Sequence, residues 1–371
     1  MRTESTRFDD VLRFAASRGI CDVHFKPGCR PLYRRAGALI MRREEEALTD
    51  DQLIAAISSR LLPGQVARFE AGEALTFSHG LAGSGSFRLS VFRQRGRVAV
   101  SARVIPSRVA TLRELKLPAV LGTLATAPSG LVLVCGGSGS GRSTTIAAMV
   151  EFINTSGTLT RHVVLLEEPI EAVFDDKLAW IDQREIGIDT PTLAESVRLA
   201  MRQHADVIVL AALSTFCDIE LAVSAAEAGH LVIAGLHPSD VPGALRLLAD
   251  RVPGDHRASF RQRLASVLIG ISAQRLLQTA DGKGLVPVVE VLRNNEQVWS
   301  LLAGDHDPMA SVDVMDAGIA VGMQSLERSL SERLGASEIT HDMALSHARR
   351  PQMLEQFRRG NTAALDSGGL F

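Results

Sequence analysis

The sequence predicts an α/β protein of two domains, the second built on a mostly parallel sheet. Three observations carry this reading. An apolar run, Leu131–Cys135, passes through a glycine-rich turn into the start of a helix at Ser143. From Gly130 onward, apolar strands alternate with longer helical stretches, the pattern of parallel strands joined by crossover helices. Before that point, short helical and strand patterns are mixed and end in a hairpin. At 371 residues with 46% hydrophobic content, the chain can bury two such cores.

In order, Phe8, Val11, Leu12 and Ala15 recur at helical spacing. Cys21–Phe25 alternates as a strand, and after a turn at Pro27-Gly28 a strand pattern runs through Leu39-Ile40. Asp50–Leu62 reads as an amphipathic helix opened by Thr49 as N-cap and closed by Pro63-Gly64. Ser86–Phe92 and Arg97–Ile105 form a hairpin about Gln94-Arg95-Gly96, and Pro106–Pro118 connects the domains. The second domain has strands at Leu131–Cys135, His162–Leu166, Val207–Leu210 and His230–Gly235. Its helices fall near Ser143–Asn154, Leu193–Arg202, Cys217–Ala228 and Gly243–Leu248, and Arg257–Ile271 keeps helical spacing. Ser272–Thr279 and Leu285–Leu292 flank Asp281-Gly282, a hairpin signal. Beyond Asp305 the chain reads as helical, with a small-residue tail expected to be disordered.

Composition narrows the function. Forty Lys and Arg against 42 acidic residues give no global field for nucleic acid or anionic membrane. The first ten residues hold no apolar core, so no signal peptide is expected, and no apolar run reaches the roughly 18 residues of a spanning helix. Four cysteines without a C-x-x-C pair suggest plain thiols in a reducing, cytoplasmic-type compartment.

The chemistry concentrates in Gly136-Gly137-Ser138-Gly139-Ser140-Gly141-Arg142-Ser143-Thr144. This is the phosphate-loop spacing G-x-x-x-x-G-K-[ST] with Arg142 in place of lysine. Glycines let backbone N–H groups curl round an anion, and the helix start aims its positive end there. Ser143 would offer its hydroxyl to a magnesium ion carried by the phosphates. The competing reading is a strand-to-helix turn that holds no ligand.

Further motifs follow in register. They include Cys21-Asp-Val-His24, Phe87–Gln94, Arg103–Pro106, Leu112–Leu115, Leu166–Glu171, Gln183–Gly187, Val197–Arg202, Ala225–Leu231, Gly235–His237, Gly322–Leu326 and Ile339-Thr340. With these the chain resembles the hexameric secretion ATPases, in particular the type IV pilus retraction (PilT/PilU-like) branch. The resemblance implies a PAS-like α/β domain (residues 1–106), a linker (107–118), a RecA-like P-loop ATPase domain (119–305) and a helical C-terminal extension (306–371). It also implies ATP or ADP with magnesium, a homo- or hetero-hexameric ring, an inner-membrane pilus platform protein as partner, and no nucleic acid. The location implied is cytoplasmic, peripheral to the inner membrane through that machinery.

Site roles carry over position by position. Glu167, Glu168 and Glu171 match the family's acidic box, against the plainer reading of a solvated strand end. His230 and His237 match its histidine positions, which implies a nucleotide-sensing or inter-domain role, with Pro238 replacing a threonine; packed core histidines are the alternative. Arg88 and Arg103 stand where family arginines reach a neighbouring subunit's nucleotide, or are ordinary strand arginines. Arg198 and Arg202, four apart on a helix, suit structural or inter-subunit contacts.

Three departures fall where the chemistry lies. Arg142 is longer, planar and forked where the family has a compact ammonium. In Asp206–Thr215, Ala212 occupies the position of the glutamate that would orient the attacking water, and Ser214-Thr215 replace an arginine and an aspartate. Losing such a base costs about 10²–10⁴-fold in rate; Glu168 is the candidate substitute. Gln297–Leu302 keeps the apolar positions of the retraction motif but not its arginine and asparagine, which suits a packed helix with Trp299 in an interface. Three functions stay open: a nucleotide-binding but hydrolysis-impaired partner of an active, PilT-like paralogue; a weak but genuine ATP-hydrolysing retraction motor for twitching motility; and a nucleotide-independent scaffold.

Overall fold

The computed structural model describes residues 4–366 apart from 36–37, 106–107, 157–158, 253, 255–256 and 305–306. The expected boundaries at 106–107 and 305–306, and residues 367–371 of the expected tail, lie outside the described residues. Two compact units result: Met1–Val109 with Pro169–Phe174, and Ala110–Glu168 with Asp175–Phe371.

The first unit comprises α1 (Glu4–Ser17), β1 (Asp22–Phe25), β2 (Leu32–Arg35), β3 (Ala38–Met41), α2 (Asp50–Ser58), α3 (Pro63–Glu70), β4 (Leu75–Leu81), β5 (Gly85–Gln94) and β6 (Arg97–Ile105). The strands make one antiparallel sheet in the order β3-β2-β1-β6-β5-β4. Alternation decides its faces. Phe87, Leu89 and Val91 of β5 are buried, as are Phe8 and Leu12 of α1 and Leu53 and Ile57 of α2. Arg88 and Ser90, between them on β5, belong to the opposite face. Thr49 caps α2 with a complete capping box through Gln52, as its sequence position leads one to expect. Pro63 does not close that helix. It opens α3, where a missing N–H at the first turn costs nothing. The β5–β6 hairpin turns on Arg95 and Gly96, both at positive φ, as a two-residue turn requires.

The second unit comprises α4 (Val120–Ala125), β7 (Gly130–Cys135), α5 (Arg142–Ser156), β8 (His162–Glu167), β9 (Trp180–Glu185), α6 (Leu193–Arg202), β10 (Val207–Leu210), α7 (Phe216–Glu227), β11 (Leu231–Leu236), α8 (Val241–Asp250), α9 (Arg257–Val267), β12 (Leu268–Gln278) and β13 (Leu285–Arg293). Next come α10 (Glu296–Ala303), α11 (Ala310–Ala317), α12 (Leu326–Gly335), α13 (His341–His347) and α14 (Pro351–Asp366). The sheet order is β13-β12-β7-β11-β10-β8-β9, parallel except for β12–β13. Strands β7, β10 and β11 are buried along their whole length, which is why they read as unbroken apolar runs.

The helical spacing expected through Ile271 ends at Val267. From Leu268 the chain pairs with β7 instead, with a bulge before Gly270, and sheet pairing overrides the local period. Gly270 is needed there because a Cβ would stand 2.8 Å from the Leu292 carbonyl oxygen. The C-terminal tail also differs: α14 is helical through Asp366. The terminal helices have a small core of their own, with Leu326, Leu330, Ile339, Ala344 and Leu354 against Leu277, Val286 and Val288.

Candidate functional site

The central strand β7 ends at Cys135, and the loop 136–141 leads into α5. Gly139 (φ +76°) and Gly141 (φ +83°) adopt the left-handed conformation that disfavours any side chain. At Gly136 the constraint is space, since a Cβ would lie 2.1 Å from Ser140 Oγ. That hydroxyl is buried and has no hydrogen-bond partner. A buried polar atom held beside a loop of glycine amides fits an anionic ligand. Beside the start of α5 opens a cleft of about 300 Å³, lined by Gly141, Thr144, Thr145, Leu117, Leu276 and Pro287 among others.

Arg142 is folded back onto the protein. Its Nη1 donates to Gly136 O at 3.0 Å, to Leu236 O at 3.1 Å and to His237 Nδ1 at 3.2 Å. Accepting from a guanidinium requires a lone pair on Nδ1, so the neutral ring carries its proton on Nε2. Burial, then the charges of Arg142 and Arg251, hold His237 below the ordinary histidine pKa. Arg142 Nε is buried without a partner. Gly235 permits this packing: a Cβ there would be 2.1 Å from Ala211 O and 3.2 Å from Arg142 Nε.

The loops after β8, β10 and β11 join this loop at the carboxyl edge of the sheet, the edge where open α/β sheets bind ligands. Leu213 N donates to Gly235 O at 2.8 Å, and Ala211 N donates to Leu166 O at 3.2 Å. Between them Ala212 is half-buried and presents a methyl group. Glu167 is buried at the end of β8, with Gln183 Nε2 at 3.3 Å from its Oε2, while Glu168 is exposed. Thr215 caps α7 and shares a capping box with Asp218. Ser214 and Thr215 thus serve a helix terminus. His230 precedes β11, and its Nδ1 lies 2.6 Å from Ala205 O. It is therefore at the opposite edge from His237, about 20 Å away at ~3.3 Å per strand residue.

In the first unit, Arg88 and Arg103 face each other across β5 and β6. Arg88 Nη2 donates to Ile170 O at 3.2 Å and stands 3.4 Å from Glu171. Arg103 Nε donates to Asp22 at 2.8 Å, a bond that holds the guanidinium pKa above its ordinary value. Trp299, on α10, is 44% exposed.

Gln274 was not singled out by the sequence. Only 2% exposed on β12, it donates from Nε2 to Ser140 O and accepts from Thr145 Oγ1, both at 2.7 Å. The available signal was an amide in a strand-patterned run that also holds Ser272 and Arg275, which gave it no distinction.

A buried parallel strand, a glycine loop with left-handed turns and a helix opening from it define the phosphate-loop class of α/β domain. The model of the type II/IV secretion system protein family matches residues 98–310. The Pseudomonas aeruginosa type IV pilus ATPase PilU is 32% identical over 342 residues, covering 92% of this chain and 88% of that protein. The type IV pilus retraction ATPase PilT of the same organism is 31% identical over 344 residues, covering 92% and 98%. The crystal structure of the pilus retraction motor PilT with bound ADP superposes with a TM-score of 0.83 at 31% identity, over 94% of this chain and 98% of that one. The chain belongs to the type II/IV secretion system protein family, in its PilT/PilU-like ATPase group. The expected fold class, an N-terminal α/β domain before a P-loop ATPase domain with a helical C-terminal region, is borne out. Among the described residues, no helix is long and apolar enough to cross a membrane.

Proposed function

We propose that the chain binds ATP or ADP but is impaired in hydrolysis, and serves as a regulatory or structural partner of an active PilT-like motor. The loop supports the binding half of this reading. Residues 136–144 would hold the phosphates, with Ser143 on their magnesium ion, and the adjoining cleft suits a nucleobase. Bound nucleotide would supply a phosphoanhydride and its charge. The protein would supply amide donors, the Arg142 cation and shelter from water.

The observation that carries the impairment is the position of Arg142. Its Nη1 is committed to two carbonyls and His237 rather than extended as a free cation. At the edge of β10, Ala212 can neither accept a proton nor orient a water. Glu168, exposed in the acidic box, is the remaining candidate base. We assign Glu167, Glu171, His237, Arg88 and Arg103 to nucleotide contacts in an assembled ring, and His230 to packing at the far edge. The assembly proposed is a homo- or hetero-hexamer that engages an inner-membrane pilus platform protein from the cytoplasmic side and binds no nucleic acid.

Steady-state phosphate release from ATP and magnesium, measured beside Arg142→Ala as contamination control, decides the matter. Turnover equal to the control is expected. Turnover well above it would overturn this reading and mean that the site has rebuilt its hydrolytic chemistry.

A further inference from the structure

We propose that Gln274 is the positioning residue of the phosphate loop. The inference rests on that loop being an anion cradle. Residue Ala273 of β12 is paired with Cys135, the last residue of β7, so Gln274 stands beside the point where the chain leaves the sheet. Its side chain spans the junction where the loop passes into α5. On the loop side it meets the Ser140 carbonyl, which can only accept; on the helix side it meets the Thr145 hydroxyl in the first turn of α5. Because Ser140 O needs a donor, the amide orientation is fixed: Nε2 toward Ser140, Oε1 toward Thr145.

The consequence follows from peptide geometry. In a trans peptide the carbonyl and the following N–H point in opposite directions. Anchoring the Ser140 carbonyl against β12 therefore directs the Gly141 N–H away from β12, and Gln274 sets the aim of a loop amide without touching a ligand. The fit is close. A Cβ on Gly141 would lie 3.1 Å from Gln274 Nε2, and one on Gly136 would lie 3.2 Å from the Gln274 carbonyl oxygen. The absence of a side chain at Gly141 thus leaves room for the Gln274 amide. Oriented amides act on an anion only while they hold their direction, so an unanchored loop binds more weakly.

The test uses the full chain with ADP and inorganic pyrophosphate as probes, comparing the unsubstituted protein with Gln274→Met and Gln274→Glu. Methionine matches the length and volume and cannot hydrogen-bond in the same way. We expect Gln274→Met to weaken ADP binding at least tenfold. Amide exchange should accelerate within residues 137–145 while α7 and β13 keep their protection.

Glutamate gives a signature that packing alone would not. Ionised, it cannot donate to Ser140 O; protonated, its hydroxyl can. Burial raises its pKa toward the accessible range. The affinity of Gln274→Glu relative to the unsubstituted chain should therefore recover as pH falls from about 8 to about 5.5. Taking the ratio removes the common titration of His237. A flat ratio, a Gln274→Met chain that binds ADP normally with unchanged loop exchange, or acceleration spread over the whole sheet would each overturn the proposal. If the unsubstituted chain binds neither probe, the nucleotide reading fails separately. The exchange arm alone then decides whether Gln274 orders the loop.

Discussion

Replacing Arg142 by methionine keeps an unbranched apolar stem and removes every donor. Nη1 carries two hydrogens, so its contacts at 3.0, 3.1 and 3.2 Å to Gly136 O, Leu236 O and His237 Nδ1 share two protons. Leu236 O also accepts from Gly136 N at 3.0 Å, so it loses little on its own. Hydrogen bonds with a charged partner contribute about 1.5–3 kcal/mol each. Arg142 is half-exposed and its Nε is buried unpaired, so the total for the side chain should be about 1.5–3 kcal/mol rather than twice that. Urea unfolding without nucleotide should show this loss at unchanged m. The pH dependence has a definite sign. His237 titrates below its ordinary 6.5 in the folded chain, so below that pH the unfolded state binds more protons and stability falls as pH falls. Without Arg142 the depression is smaller. The gap between the two proteins should therefore be widest above 6.5 and narrow toward about pH 5. A variant within about 0.5 kcal/mol of the parent at pH 8 would show that Arg142 does not tether the loop.

Three further substitutions test the same account. Gly141→Ala places a side chain at φ +83° with its Cβ 3.1 Å from Gln274 Nε2, and should lose about 1–2 kcal/mol or more, read from the urea midpoint. Arg349→Ala removes the cation 2.7 Å from the Glu290 carboxylate, which is 2% exposed and keeps the Val241 N–H as its donor among the described residues. About 3–5 kcal/mol should be lost at neutral pH. Burial already holds Glu290 above its ordinary 4.5, and the folded variant will keep that proton to still higher pH. The loss should therefore be least below 4.5 and grow as pH rises, which unfolding at a series of pH values will show. Arg142→Lys combined with Ala212→Glu introduces the side chains that the phosphate-loop spacing and the resemblance call for, and should raise phosphate release by about 10²-fold or more over the parent. No rise would mean that these two positions do not account for the hydrolytic impairment proposed above.

Features whose reasons are local were legible in the sequence. The phosphate-loop glycines and the Thr49 cap depend on φ, close approach and one hydrogen bond within a few residues. Pro63-Gly64 is also local, but proline serves at a helix start as well as after a helix end, and only the packing of α3 decides between them. The bulged start of β12 and the role of Gln274 could not be read locally, because the partner strand and the Ser140 carbonyl lie more than a hundred residues away in sequence. The placement of His230 and His237 is intermediate. Once β11 is recognised as a parallel strand, a residue before it and a residue after it must lie at opposite edges of the sheet. His230 and His237 could have been separated on that ground without any coordinates.

The segment after β10 shows why restoring a single side chain there is a weak test. Ser214 N and Thr215 N both donate to Asp218 Oδ2, at 3.0 and 2.7 Å, and Thr215 Oγ1 accepts from Asp218 N at 3.2 Å. Arg251 donates to the Ser214 carbonyl oxygen, and that same cation helps to depress the His237 pKa. The backbone that carries position 212 is therefore held by the Ala211–Leu166 bond before it and by the Leu213–Gly235 bond and a helix cap after it. A glutamate introduced there would have its backbone fixed by cap geometry, and it would enter an edge already populated by Arg142 and Arg251. Each of these cations attracts a carboxylate, and an ion pair with either would compete with holding a water. Ala212→Glu alone should thus gain less than the double substitution, because lysine at 142 withdraws the forked donor best matched to a carboxylate.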